Sequence, residues 1–203
     1  MDLLECGVDI DQLWRDFNPK ADRPLGNYPV WLGYDPARFG DLSTLVVVAP
    51  PMKPGDSFRV IEKRRLTGSY PAQAAEIKGL LQRYNVEYIG VDRTGPGQTV
   101  FDEISGFCPV AEGIYYTEEK KAALVLKAQS LISLRQLEWP ITEDYASAFI
   151  QIKKHVKSND KIVYVADRSV KNGHADYAFA IMNALANETL GAKKKSSSVT
   201  IQK

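Results

Sequence analysis

Cysteine is nearly absent from this chain. Only Cys6 and Cys108 occur, outside any CxxC pattern, and the two histidines do not cluster with them. Such spacing excludes a disulfide scaffold and a Cys/His zinc site. Long apolar runs are missing as well. No stretch approaches the ~20 apolar residues that cross a bilayer, and the N-terminus shows no signal-peptide hydrophobic core. No membrane partner is therefore expected, and a reducing cytoplasm is the simplest home. Excess charge of either sign is also lacking. Lys+Arg 26 against Asp+Glu 25 leaves +1, so bulk electrostatics do not announce a nucleic-acid binder.

What is present is ordinary material for one soluble domain. The apolar share of 44% and charged share of 25%, with ten tyrosines and three tryptophans, supply a real core. The basic residues collect in short runs: Lys63-Arg64-Arg65, Lys120-Lys121, Lys153-Lys154 and Lys193-Lys194-Lys195. Each alone reads as a solvated face. Beside an acidic metal site they would become a surface that tracks phosphates.

Residues 1–27 carry no clear period and form a lead-in segment, with a short helix expected around Asp11–Phe17. Strands are expected at Val30–Asp35, Thr44–Ala49 and Phe58–Leu66, joined as hairpins through Pro36–Asp41 and Pro50–Gly55. Tyr70–Tyr84 has helical spacing with Pro71 in its first turn; Val86–Val91 is a fourth strand. A short helix over Gly95–Ile104, a strand over Val110–Tyr115 and a long helix capped by Thr117 and running to Arg135 follow. Tyr145–His155 is expected as a helix, Lys161–Ala166 as the last strand, and a closing helix from Asn172 or Gly173 to Leu190. The domain is thus placed at 28–191, with a basic tail at 192–203. The sum is an α/β fold: a mixed sheet, three-strand antiparallel meander plus parallel strands, with helices on both faces.

Three aspartates stand beside hydrophobic sequence in this scheme. Asp35 ends the first strand, Asp92 ends the fourth, and Asp176 opens the apolar pattern of the closing helix. A carboxylate at the edge of a core is costly unless something offsets its charge. Carboxylates that converge suit Mg²⁺ or Mn²⁺, and two such ions can clamp both oxygens of a phosphodiester displacement. If the first and fourth strands are neighbours, Asp35 and Asp92 share the carboxyl edge where ligands collect. Asp176 can reach over that edge, since helical side chains lean toward the N-terminus. Gly33 and Gly40 permit close backbone approach near Asp35, Thr94-Gly95-Pro96-Gly97 leaves space after Asp92, and Ala180 leaves room beside Asp176. Purely structural roles compete: Asp35 and Asp92 as turn starters, Asp176 as a helix-dipole partner at ~0.3–1 kcal/mol. On pattern alone Asp176 is evenly divided between the two. Asp41 fits a turn or supporting group, and His174 a helix-start contact that can support the site.

The motifs resemble the nuclease domain of tailed-bacteriophage terminase large subunits, a ribonuclease-H-like fold. They are Trp31-Leu32-Gly33-Tyr34-Asp35-Pro36-Ala37-Arg38-Phe39-Gly40-Asp41-Leu42-Ser43, then Ile89-Gly90-Val91-Asp92-Arg93-Thr94-Gly95-Pro96-Gly97, then Gly173-His174-Ala175-Asp176-Tyr177-Ala178-Phe179-Ala180. Each is weakly specific; all three in order, on the right elements, are far more so. The resemblance implies that Asp35, Asp92 and Asp176 bind two Mg²⁺ or Mn²⁺ ions and cut double-stranded DNA concatemers during genome packaging. It implies as partners an ATPase domain of the same large subunit, the terminase small subunit and the portal protein, and as location the cytoplasm of the infected bacterial host. No GxxxxGK[ST] phosphate loop occurs, so the chain reads as the nuclease part without its motor. Lys120 falls where the family often has a lysine, and with Arg38, Lys153 and Lys154 it is a candidate phosphate contact. Alternatives are another ribonuclease-H-like enzyme such as a junction resolvase or transposase, an actin- or sugar-kinase-like nucleotide binder, and a non-catalytic packaging interaction domain.

Overall fold

A computed structural model describes residues 3–37, 43–95, 97–167 and 175–188. Arg38, Asp41, His174 and the basic tail lie outside the described residues. The lead-in segment supplies strand β1 (Gly7–Val8) and the single-turn helix α1 (Ile10–Leu13). Strands β2 (Pro29–Asp35), β3 (Ser43–Ala49) and β4 (Phe58–Leu66) form the expected antiparallel meander. Their β-branched and aromatic residues are buried almost throughout, as strands covered on both faces require.

Helix α2 (Tyr70–Arg83) starts where the Ser69 hydroxyl caps the Ala72 amide, and returns the chain to β5 (Asn85–Asp92). β5 lies against β2 in parallel, with Tyr34 paired to Val91. Helix α3 (Gly97–Ser105) leads to β6 (Ala111–Ile114), parallel to β5. Thr117 caps the long helix α4 (Glu118–Ser133), which crosses back to β7 (Leu137–Pro140), a strand the sequence pattern does not reveal. The resulting order is β1-β7-β4-β3-β2-β5-β6.

The expected helix over 145–155 is corrected. Only α5 (Ala146–Ile150) is helical; Ile152–Val156 is strand β8, paired antiparallel with β9 (Ile162–Ala166) in a separate two-stranded sheet. The ladder to β9 satisfies the backbone that a longer helix would have satisfied, and the β-branched Ile152 and Val156 favour it. The closing helix α6 spans Asp176–Leu185.

Two apolar layers result. α2 and α3 cover one face with Ala74, Ile77, Leu80, Val100 and Ile104. α4, α5 and α6 cover the other with Leu124, Val125, Phe149, Phe179 and Met182. No described helix is long and apolar enough to cross a membrane.

Candidate active site

Strand alternation decides which side chains meet. Side chains two residues apart share a face, so Gly33 and Asp35 on β2 project with Gly90 and Asp92 on β5. That is the face α6 covers. A Cβ at Gly33 would lie 1.8 Å from the Ala180 carbonyl oxygen, and one at Gly90 would lie 2.1 Å from that of Asn183. The two glycines are therefore a flat seat on which helix backbone rests on strand backbone. Ala180, whose backbone carbonyl makes this contact, is fully buried.

Asn183 pins the seat. Its amide donates to the Tyr34 carbonyl at 2.9 Å, and its oxygen accepts from the Tyr116 hydroxyl at 2.6 Å. With α6 fixed, Asp176 at its first position overhangs the carboxyl ends of β2 and β5. Asp92 and Asp176 are each close enough to Asp35 to act on it. Burial pushes the Asp35 carboxyl well above the usual carboxylate range, and the charges of Asp92 and Asp176 push it further. Lys121 and Arg65 oppose this rise. Asp92 is raised by burial too, against a 2.8 Å bond from the Thr94 amide and the charge of Lys121. The buried Tyr116 hydroxyl is raised by burial and then by Asp35 and Asp92.

The loop after Asp92 is open at Thr94 and Gly95 and tightly packed at Gly97. Gly97 is there because a Cβ would lie 2.0 Å from the Asp92 carbonyl oxygen; Gly95 supplies the positive φ of the turn, at 63°. Asp92 thus does start a turn, as its structural reading holds, and still presents one carboxylate to the acidic pocket. Near Asp35 the Ala37 amide donates to the Ser43 hydroxyl at 3.0 Å.

Two cations that sequence reasoning missed flank the acids. Arg65 Nη1 donates to Asp176 Oδ2 at 2.9 Å and to Thr44 Oγ1 at 2.6 Å. Lys121, half-buried on α4, lies over the Phe179 ring at 4.5 Å. Lys120 is exposed, one residue round the helix. Lys153 and Lys154 are exposed on β8 and line a cavity of about 230 Å³ with Val125, Phe149 and Met182, apart from the acids. The period-2 rule offered a signal for Arg65: register aligns Asp35 with Thr44 and Thr44 with Arg65, in one row on one face.

The donor set available to a cation is three carboxylates, hard oxygen ligands of the kind Mg²⁺ and Mn²⁺ prefer. Among the described residues no group of three or more His, Cys, Asp or Glu side chains stands close enough together to hold a metal ion. The Asp35 carboxyl fits a cation nevertheless, because burial and two like charges raise it beyond what Lys121 and Arg65 offset, and a divalent ion would oppose that rise.

A meander extended by parallel strands, helices on both faces, and carboxylates at the ends of its first and fourth core strands define a ribonuclease-H-like domain. The chain belongs to the Terminase RNaseH-like domain family, whose pattern matches residues 32–188. It is 43% identical over 197 residues to the probable terminase, ATPase subunit, of Haemophilus phage HP1, covering 95% of this chain and 32% of that protein. It is 43% identical over 194 residues to the terminase, ATPase subunit, of Escherichia phage P2, covering 94% and 33%. The chain thus spans about a third of the length of these curated relatives. In fold it is similar to the large terminase nuclease of thermophilic phage G20c with bound magnesium, at TM-score 0.66 and 17% identity over 84% of each chain. The Thermus phage P74-26 large terminase nuclease domain matches at TM-score 0.63 and 16% identity, over 90% of this chain and 91% of that one.

Proposed function

We propose that this domain is a divalent-metal-dependent endonuclease that cuts double-stranded viral DNA concatemers during genome packaging. The observation that supports this reading best is the Asp35 carboxyl, half-buried at a strand end and raised by both Asp92 and Asp176. Asp35 would hold metal centrally, Asp92 and Asp176 from either side. Mg²⁺ or Mn²⁺ bound there, as a pair of ions, would supply an activated water and neutralise the departing 3′ oxygen. Lys121 beside Asp35 and Asp92 would draw the scissile phosphate toward the acids. Arg38, Lys120, Lys153 and Lys154 would hold more distant phosphates without reading bases. Asp41 and His174 would support the acids.

The nuclease unit is taken as residues 28–191, between the lead-in and the basic tail. Its partners on this reading are double-stranded DNA, the ATPase domain of the same large subunit, the small subunit and the portal, in the cytoplasm of the infected bacterium. The names of the HP1 and P2 relatives support the terminase assignment, and the magnesium in the G20c nuclease supports the choice of ion. The direct test is plasmid nicking in Mn²⁺ by the wild type and Asp35→Ala. Cutting by the wild type alone is expected; equal cutting by both would remove Asp35 from the site.

A further inference from the structure

Asp176 reaches the acidic pocket from the first turn of a helix, where an aspartate has rotamers to spare. Asp35, a second acid, lies close enough to interact with it. Something must hold it over the sheet edge. Among the described residues its carboxylate pairs with Arg65, at 2.9 Å, and that arginine is itself held from other sides. Its Nη1 donates to the fully buried Thr44 at 2.6 Å, and its guanidinium lies over the Tyr177 ring at 4.3 Å. Lys63, two residues earlier on the same strand face, lies over the same ring at 4.8 Å and pairs with Glu143. The start of α6 is thus gripped from β4 through two consecutive residues, Asp176 and Tyr177.

We infer that Arg65 is the positioning residue for the third acid of the site. Because Thr44 and Tyr177 fix the guanidinium, Arg65 sets where the Asp176 carboxylate sits, and not the reverse. Its planar fork suits this task, since one nitrogen can serve Thr44 and Asp176 while the plane stacks on Tyr177. Partners that orient a metal-binding carboxylate typically change metal affinity by about 10- to 100-fold when removed. The inference rests on the proposed metal role of Asp176, and it goes further by naming what aims that ligand.

A positive charge next to a cation site would, acting by charge alone, weaken metal binding. The two effects have opposite signs, and this makes the test decisive. Calorimetric Mn²⁺ titration of the 203-residue chain is compared for wild type, Arg65→Gln, Arg65→Lys and Thr44→Val, each checked for folding by circular dichroism in EDTA. Arg65→Gln should bind Mn²⁺ about 10- to 100-fold more weakly. Arg65→Lys should recover only part of the loss. Thr44→Val, which leaves Arg65 and Asp176 intact, should weaken binding in the same direction and serves if Arg65→Gln fails to fold. Nicking by these variants should need more Mn²⁺ for half-maximal rate, with the saturated rate much less affected. Unchanged or tighter Mn²⁺ binding by Arg65→Gln, or full rescue by Arg65→Lys, would overturn the positioning role. A wild type that binds no Mn²⁺ would instead sink the metal-site reading itself, and this inference with it.

Discussion

The two faces of the central sheet are packed by different means. Beneath α2 and α3, side chains interdigitate: Leu32, Tyr34, Leu45 and Ile89 from the strands meet Ile77, Leu80, Val100 and Ile104 from the helices. Beneath α6, helix backbone touches strand backbone at Gly33 and Gly90. A layer of side chains absorbs small displacements by changing rotamers; a backbone-on-backbone contact passes them on. The rigid contact is the one that places Asp176. Gly33→Ala should therefore have the largest effect of any single methyl in the domain. Its Cβ would lie 1.8 Å from the Ala180 oxygen, so α6 must lift. The expected cost is about 3 kcal/mol, the upper part of the usual range for overpacking, measured by urea unfolding. The rise in Tm on adding Mn²⁺ should vanish. If both survive intact, α6 is not what positions the third acid.

Each face also has a buried amide anchor beside Tyr34, which sharpens the contrast. Asn183 bonds the Tyr34 carbonyl and the Tyr116 hydroxyl on the α6 face. Gln73 accepts from the Tyr34 hydroxyl on the other face and donates to the Gly68 carbonyl at 2.9 Å. Replacing either by alanine orphans buried partners at roughly 1–3 kcal/mol per group, so thermal scans should show comparable losses. Mn²⁺ binding should fall in Asn183→Ala and stay at the wild-type level in Gln73→Ala. Equal metal binding in the two variants would erase the functional difference between the faces.

The same division governs what the sequence made legible. β2, β3, β4, α2, β5 and α4 follow strong local patterns, and their observed spans lie within a residue or two of those expected. β7 is a four-residue strand ending in Pro140, too short for alternation to register, and it is fixed by parallel pairing to β1 and β4. β8 was masked by the helical turn of α5 just before it, and its strand character depends on a partner six residues further on. Within the site, the gathering of Asp35 and Asp92 was legible from strand ends. The meaning of Gly33 and Gly90 was not, because a glycine in a strand does not say which element rests on it. Arg65 was hidden in Lys63-Arg64-Arg65, a run that alternation splits: Arg64 pairs with Glu62 on one face while Lys63 and Arg65 grip Tyr177 on the other.

A smaller effect of opposite sign is expected at Asp35. Its carboxyl is raised by burial and by Asp92 and Asp176, so the folded state without metal binds this proton more tightly than the unfolded chain does. Stability of the metal-free wild type must then rise as pH falls through the raised folded value toward the ordinary one, and decline as pH climbs. Asp35→Asn removes the charge and its penalty. In EDTA near neutral pH this variant should melt above the wild type, by less than the losses predicted above, and the gap should close as pH is lowered. Mn²⁺ should raise the Tm of the wild type alone, and less so at low pH because protons compete for the same oxygens. A variant that melts below the wild type at neutral pH would show Asp35 to be a structural anchor.

The smallest change is expected where the packing is most forgiving. Ile77 lies fully buried in α2 against the face that does not hold the acids. Ile77→Val should cost about 0.5–1.5 kcal/mol, the usual price of one buried methyl. Neighbouring side chains can close around the gap without moving β2 or β5, so the Mn²⁺ affinity and nicking rate should match the wild type. The informative number is the ratio of metal-binding loss to stability loss. It should be near zero for Ile77→Val and large for Gly33→Ala. Similar ratios would mean that the acids respond to overall stability alone, whichever face is disturbed.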